Sequence, residues 1–70
     1  MIYTIDMIWD DEARVWCAIC DDIPIVLESP SYDTLIERVI VATPELLELN
    51  GKPTDSVVLR FESSRLASIA

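Results

Sequence analysis

The chain has 70 residues, 13 of them acidic, five basic and none histidine, for a net charge of −8. That balance argues against direct binding to DNA or RNA, which needs basic surface to neutralise phosphates, and it favours a basic protein partner. Half the residues are hydrophobic, so composition does not dictate disorder. The length suits one small domain over residues 1–70, with a thermodynamically marginal core for which self-association is a usual remedy.

Taken in chain order, residues 2–9 (IYTIDMIW) alternate. Tyr3, Ile5, Met7 and Trp9 fall on one side and Thr4 and Asp6 on the other, with Ile8 the exception, so a half-buried strand is expected. The polar run Asp10-Asp11-Glu12-Ala13 reads as a hairpin turn. Residues 14–20 (RVWCAIC) are rich in β-branched and aromatic types and form a second expected strand. Asp21-Asp22 breaks it. A third, shorter strand covers 25–29 (IVLES), and Pro24 can precede it without losing a ladder bond.

The only long helix is expected at about 32–50. Ser31 suits the N-cap, and Asp33 sits in the first turn, where the helix dipole favours negative charge. Asn50-Gly51 followed by Pro53 is a stop signal. At 100° per residue, Tyr32, Leu35, Ile36, Val39, Ile40, Ala42, Leu46, Leu47 and Leu49 share one side. Asp33, Glu37, Arg38, Glu45 and Glu48 share the other, with Val41 alone among them. The apolar stripe covers about half the circumference, wider than the ~100° of an ordinary surface helix. The helix is therefore either deeply seated in a small core or in contact with a second partner. Pro44 removes a backbone bond, yet the stripe keeps its phase across it. One kinked helix with Pro44 outward is expected, the alternative being two short helices that break near Thr43.

A loop at 52–55 leads to a fourth alternating stretch, 56–62 (SVVLRFE), with Val57, Leu59 and Phe61 inward and Val58, Arg60 and Glu62 outward. The tail at 63–70 extends that strand, adds a short piece of its own or frays. The order β-β-β-α-β is an α+β domain. An antiparallel meander receives one parallel strand by a right-handed crossover, and one helix covers one sheet face. The other face is mixed in character, and its free edges invite pairing with another chain.

Candidate chemistry is sparse. Cys17 and Cys20 have C-x-x-C spacing, but inside a strand they point to opposite faces, with Cα atoms roughly 10 Å apart, beyond disulfide reach. A zinc site would need further ligands. Asp10-Asp11-Glu12 and Asp21-Asp22 lie at opposite ends of the second strand and cannot combine to hold a cation. They read as solvated turns or, secondarily, as an acidic rim for a basic partner. Trp9 and Trp16 are either core residues or interface anchors. No nucleophile–base pair or phosphate loop is present. The expectation is no catalytic residues, no metal and no cofactor, with Asp10, Asp11, Glu12, Trp16, Asp21, Asp22 and Glu28 as the candidate partner-binding set. The start MIYTIDMIWDD lacks a basic n-region, and no apolar run approaches a membrane span, so a cytoplasmic location away from membranes is expected.

The ordered set W-D-D-E-A-R-V-W-C-A at 9–18, D-D-I-P-I-V-L-E-S at 21–29, L-I-E-R-V at 35–39 and P-E-L-L-E-L-N-G at 44–51 resembles a short prokaryotic domain of the HicB-like antitoxin group. The resemblance spans about residues 2–62. It implies a partial RNase H fold in which that nuclease's metal-binding carboxylates are not functional. It also implies a homodimer or higher oligomer that occludes a small basic ribonuclease toxin of the HicA type. Many members of the group add a C-terminal DNA-binding segment, and nothing past Phe61 here could build one. The alternative is a stand-alone oligomeric module, structural or regulatory, with no toxin partner.

Overall fold

The computed structural model describes residues 1–69. Four strands and one helix follow in the order β1 (Ile2–Asp10), β2 (Val15–Cys20), β3 (Ile25–Ser29), α1 (Tyr32–Leu49) and β4 (Val58–Ser64). The sheet order is β3-β2-β1-β4. β1 pairs antiparallel with β2, β2 antiparallel with β3, and β1 parallel with β4. The expected α+β meander with one parallel strand is therefore the observed architecture.

Alternation along each strand builds the core. Tyr3, Ile5 and Met7 of β1, Ala18 and Cys20 of β2, and Ile25 of β3 are buried against Leu35, Val39 and Leu47 of α1. Four residues of α1 at spacing four, Leu35, Val39, Thr43 and Leu47, form its fully buried line. Thr43 was outside the apolar stripe expected from hydropathy. Its hydroxyl donates to the Val39 carbonyl at 2.7 Å, so its polar atom is satisfied within the helix and burial costs little. Ile40 and Leu49, by contrast, are exposed despite lying on the expected apolar side.

Helix ends follow their chemistry. The Ser31 hydroxyl accepts from the Thr34 amide at 3.3 Å. At the other end the Asn50 side-chain amide donates to the Leu46 carbonyl, and Gly51 takes φ +67, a conformation that carries no Cβ penalty in glycine. Pro44 lies inside one continuous helix and is exposed, so the break near Thr43 does not occur.

Two strands start later than the sequence reading has them, and β1 and β4 end one and two residues later. Arg14 and Ser56 both have positive φ, which ends extended pairing at those residues. β2 therefore starts at Val15 and β4 at Val58. The fourth strand then runs through Ser64, so the first residues of the tail extend it. Residues 65–69 form no further element, and Ala70 lies outside the described residues.

α1 lies across β3 and β2 and leaves the helix side of β4 only partly covered, with Leu59 and Phe61 half-buried. The uncovered strip forms a groove of about 350 Å³ between the C-terminal half of α1 and β4, lined by Ile40, Thr43, Pro44, Leu47, Val57 and Phe61 among others. No helix among the described residues is long and apolar enough to cross a membrane.

Candidate functional site

The candidate surface is the sheet face opposite α1. It is assembled by the alternate residues of the same strands that make the core. Strand register sets its rows. Val26 of β3 stands beside Ile19 of β2, then Asp6 of β1, then Glu62 of β4. In the next row Glu28 stands beside Cys17, Ile8 and Ser64. Val26 is 81% exposed and Ile8 47%, although both belong to strands whose other side is sealed. At one end of the face Asp10 pairs with Val15, and at the other Ile2 pairs with Val58 beyond the pair Thr4 and Arg60. The strand residues of this face thus present an apolar patch of Val26, Ile19, Cys17 and Ile8 that starts at the β3 edge. The carboxylates Asp6, Asp10, Glu28 and Glu62 are interleaved with it or adjoin it, with Arg60 the sole cation among these strand residues.

Cys17 reports the local field. Its thiol is pushed above the ordinary thiol range, first by burial and then by the charges of Glu28 and Asp10. Burial and negative neighbours both disfavour a thiolate. Cys17 is therefore held as a neutral, weakly reactive thiol in an electronegative setting. Cys20 is buried on the helix side, so the two sulfurs are separated by the sheet, as their spacing in a strand requires.

The seven residues anticipated as a partner-binding set do not share one surface. Asp10 and Glu28 lie on the open face, flanking Cys17. Asp11 and Glu12 belong to the β1–β2 turn, which is internally engaged. The Asp10 carboxylate accepts from the amides of Glu12 and Ala13, each at 3.1 Å. Asp11 accepts from the Arg14 guanidinium at 2.9 Å and from the Trp9 indole at 3.2 Å. Asp21 and Asp22 are in the β2–β3 turn at the far end of β2, where the Lys52 ammonium donates to the Asp22 carbonyl. Trp16 is on the opposite side of the sheet. It meets Trp9 edge-on at 5.4 Å between ring centroids and Tyr32 at 4.9 Å. The Arg65 guanidinium lies over the Trp9 ring at 4.1 Å. Trp16 is thus a packing residue of the helix side.

Sequence reasoning named Asp10 and Glu28 but gave no partner-binding role to Asp6, Glu62, Ile8, Ile19 or Val26. Strand alternation alone places Asp6, Glu62 and Ile8 on the uncovered face together with Thr4 and Arg60. What was absent was the register that sets them side by side. Among the described residues no cluster of three or more His, Cys, Asp or Glu is placed to hold a metal ion.

The sequence profile of a family described as a domain of unknown function (DUF1902) matches residues 2–69. No curated protein matches the chain. Among solved structures, the chain is similar to the hypothetical protein TTHA1013 from the extremely thermophilic bacterium Thermus thermophilus. The two are 35% identical and superpose with a TM-score of 0.85, over 99% of this chain and 100% of that one. Neither the family nor this neighbour indicates a catalytic class.

Proposed function

The chain belongs to the DUF1902 family, and on that premise we propose that it is a non-catalytic protein-binding domain whose uncovered sheet face takes a small basic protein. The observation that carries this reading is the composition of that face. Protein interfaces combine exposed apolar area with polar groups at its borders, and here the strand carboxylates Asp6, Asp10, Glu28 and Glu62 adjoin the apolar patch and outnumber the one cation, Arg60. Complementary charge steers a basic partner to the face and excludes acidic ones. The HicB-like resemblance gives the partner its class: a small basic ribonuclease toxin, which the domain would occlude and so neutralise. Within this reading the turn residues Asp11, Glu12, Asp21 and Asp22 contribute only long-range attraction, and Trp16 contributes none of the contact.

The test is affinity purification of the tagged protein from its native host at moderate salt. A small basic protein in near-equal amount, released by high salt, is the expected result. Recovery of the protein alone would overturn the toxin-binding reading.

One observation favours a second reading, a stand-alone oligomeric module with no toxin partner: β4 is an edge strand whose outer side pairs with no strand among the described residues.

A further inference from the structure

We propose that β4 pairs with β4 of a second copy, antiparallel about a two-fold axis through Phe61, so that two four-stranded sheets join into one. This goes beyond the binding reading and holds whether or not the open face takes a basic partner.

The two sheet edges are not equivalent. At β3 the Arg38 guanidinium donates to the Glu28 carbonyl at 2.7 Å, and Pro24 and Pro30 bracket the strand. An edge so blocked resists strand addition. β4 has seven residues, and among the described residues no side chain donates to its backbone carbonyls.

The direction of its backbone groups is known. The Val58 amide donates to the Met1 carbonyl on the β1 side at 2.9 Å. Backbone polar groups alternate sides along a strand, so Val58, Arg60, Glu62 and Ser64 turn theirs toward β1. Leu59, Phe61 and Ser63 turn theirs to the free edge.

That alternation restricts a symmetric pairing. Each outward residue must face an outward residue of the partner, so the two-fold axis passes through a residue and not between two. An axis at Arg60 sets Arg60 against its own copy, and an axis at Glu62 does the same for Glu62. Like charges directly opposite are destabilising. An axis at Leu59 or Ser63 leaves both charges without an opposite partner. Only an axis at Phe61 sets each Arg60 against the other copy's Glu62. Arg60 makes no ion pair within the chain among the described residues, so it is available for one.

The helix side of β4 supports the same occupant. The groove beside Phe61 is lined by Ile40, Thr43, Pro44, Leu47, Thr54, Val57, Leu59 and Phe61, none of them charged. Two chains of charge −8 meet at lowest electrostatic cost on a charge-free surface. With Phe61 on the axis, the two Phe61 rings lie side by side and close the mouths of both grooves. The contact is isologous, so it closes at two copies.

The experiment is molar mass by light scattering across a concentration series. The samples are the natural chain, Arg60→Glu, Glu62→Arg, the double exchange Arg60→Glu/Glu62→Arg, and an equimolar mixture of the two single variants. Both altered positions are exposed, and circular dichroism verifies that each variant is folded. The natural chain is expected to dimerise. Each single variant faces like charges twice and should weaken the dimer about tenfold or more. The double exchange and the mixture, in which every facing pair is again opposite, should recover it. A further variant, Ser63→Pro, removes one outward amide while sparing the bonds to β1, and should also give monomer. A monomeric natural chain at every concentration would overturn the proposal. So would a dimer indifferent to both single exchanges, or single variants that fail to pair when mixed.

Discussion

The two faces of this sheet are written in alternate residues of the same strands, yet they meet different fates. On the helix side Ile5, Met7 and Ile25 lose essentially all contact with solvent. On the other side Ile8, Ile19 and Val26 are of the same chemical kind and remain exposed. Hydrophobicity alone therefore does not separate core from surface here. The separation comes from what faces each set. α1 supplies Leu35, Val39 and Leu47 to one side, while the other side carries carboxylates among its apolar residues and is covered by no element of the described residues. The first face supplies the buried core of a small chain, and the second keeps its apolar residues exposed.

That contrast can be broken experimentally, beginning with the sealed side. Leu35→Ala should lower unfolding stability by about 2–5 kcal/mol, read from urea denaturation, because the vacated volume lies between helix and sheet and cannot collapse freely. A change below the range typical of exposed sites would mean that α1 is not seated as described. Trp16→Leu keeps apolar bulk but removes edge-on contacts with Trp9 and Tyr32. It should cost about 1–3 kcal/mol and leave partner capture intact. Loss of capture with stability unchanged would restore Trp16 to the binding surface.

On the open side, Val26→Lys should move stability by no more than about 0.5 kcal/mol, while weakening capture of a basic protein. Substantial unfolding by Val26→Lys would show that this face is structurally committed.

The smallest effect concerns Cys17. Its thiol is raised by burial, Glu28 and Asp10, so folding favours the protonated form. That contribution is complete below the unfolded thiol value and is lost as pH rises through the folded one. Glu28→Gln removes one of the causes. The pH midpoint of Cys17 alkylation should move down, and the alkaline fall in stability should begin at the same pH, set by the unfolded thiol, but end at a lower pH with a smaller total loss. An unchanged midpoint would mean that Glu28 does not act on Cys17.

Much of this fold was legible in the sequence, and for local reasons. Strand alternation, the Ser31 cap and the Asn50-Gly51 stop are nearest-neighbour effects, and the element order follows from them. Thr43 escaped a hydropathy count because its burial depends on a hydroxyl bond to Val39, which no hydropathy value contains. Ile23 is buried in a turn and has no periodic neighbours to announce it. The open face was harder to read. Asp6, Ile8, Cys17, Ile19, Val26 and Glu28 are spread over three strands, and only pairing register brings them into adjacent rows. The acidic turns were conspicuous as runs in the chain, but Asp11-Glu12 and Asp21-Asp22 close opposite ends of β2 and face no common centre.

The most direct test compares affinity capture from the native host by the natural chain and by Asp6→Lys/Glu28→Lys, with Asp21→Lys/Asp22→Lys as a control of equal charge change. The expected result is a basic protein retained by the natural chain, lost with the open-face pair and largely kept with the turn pair. Equal losses from both pairs would mean that net charge alone recruits the partner. Full retention by Asp6→Lys/Glu28→Lys would contradict the assignment of the open sheet face as the binding surface.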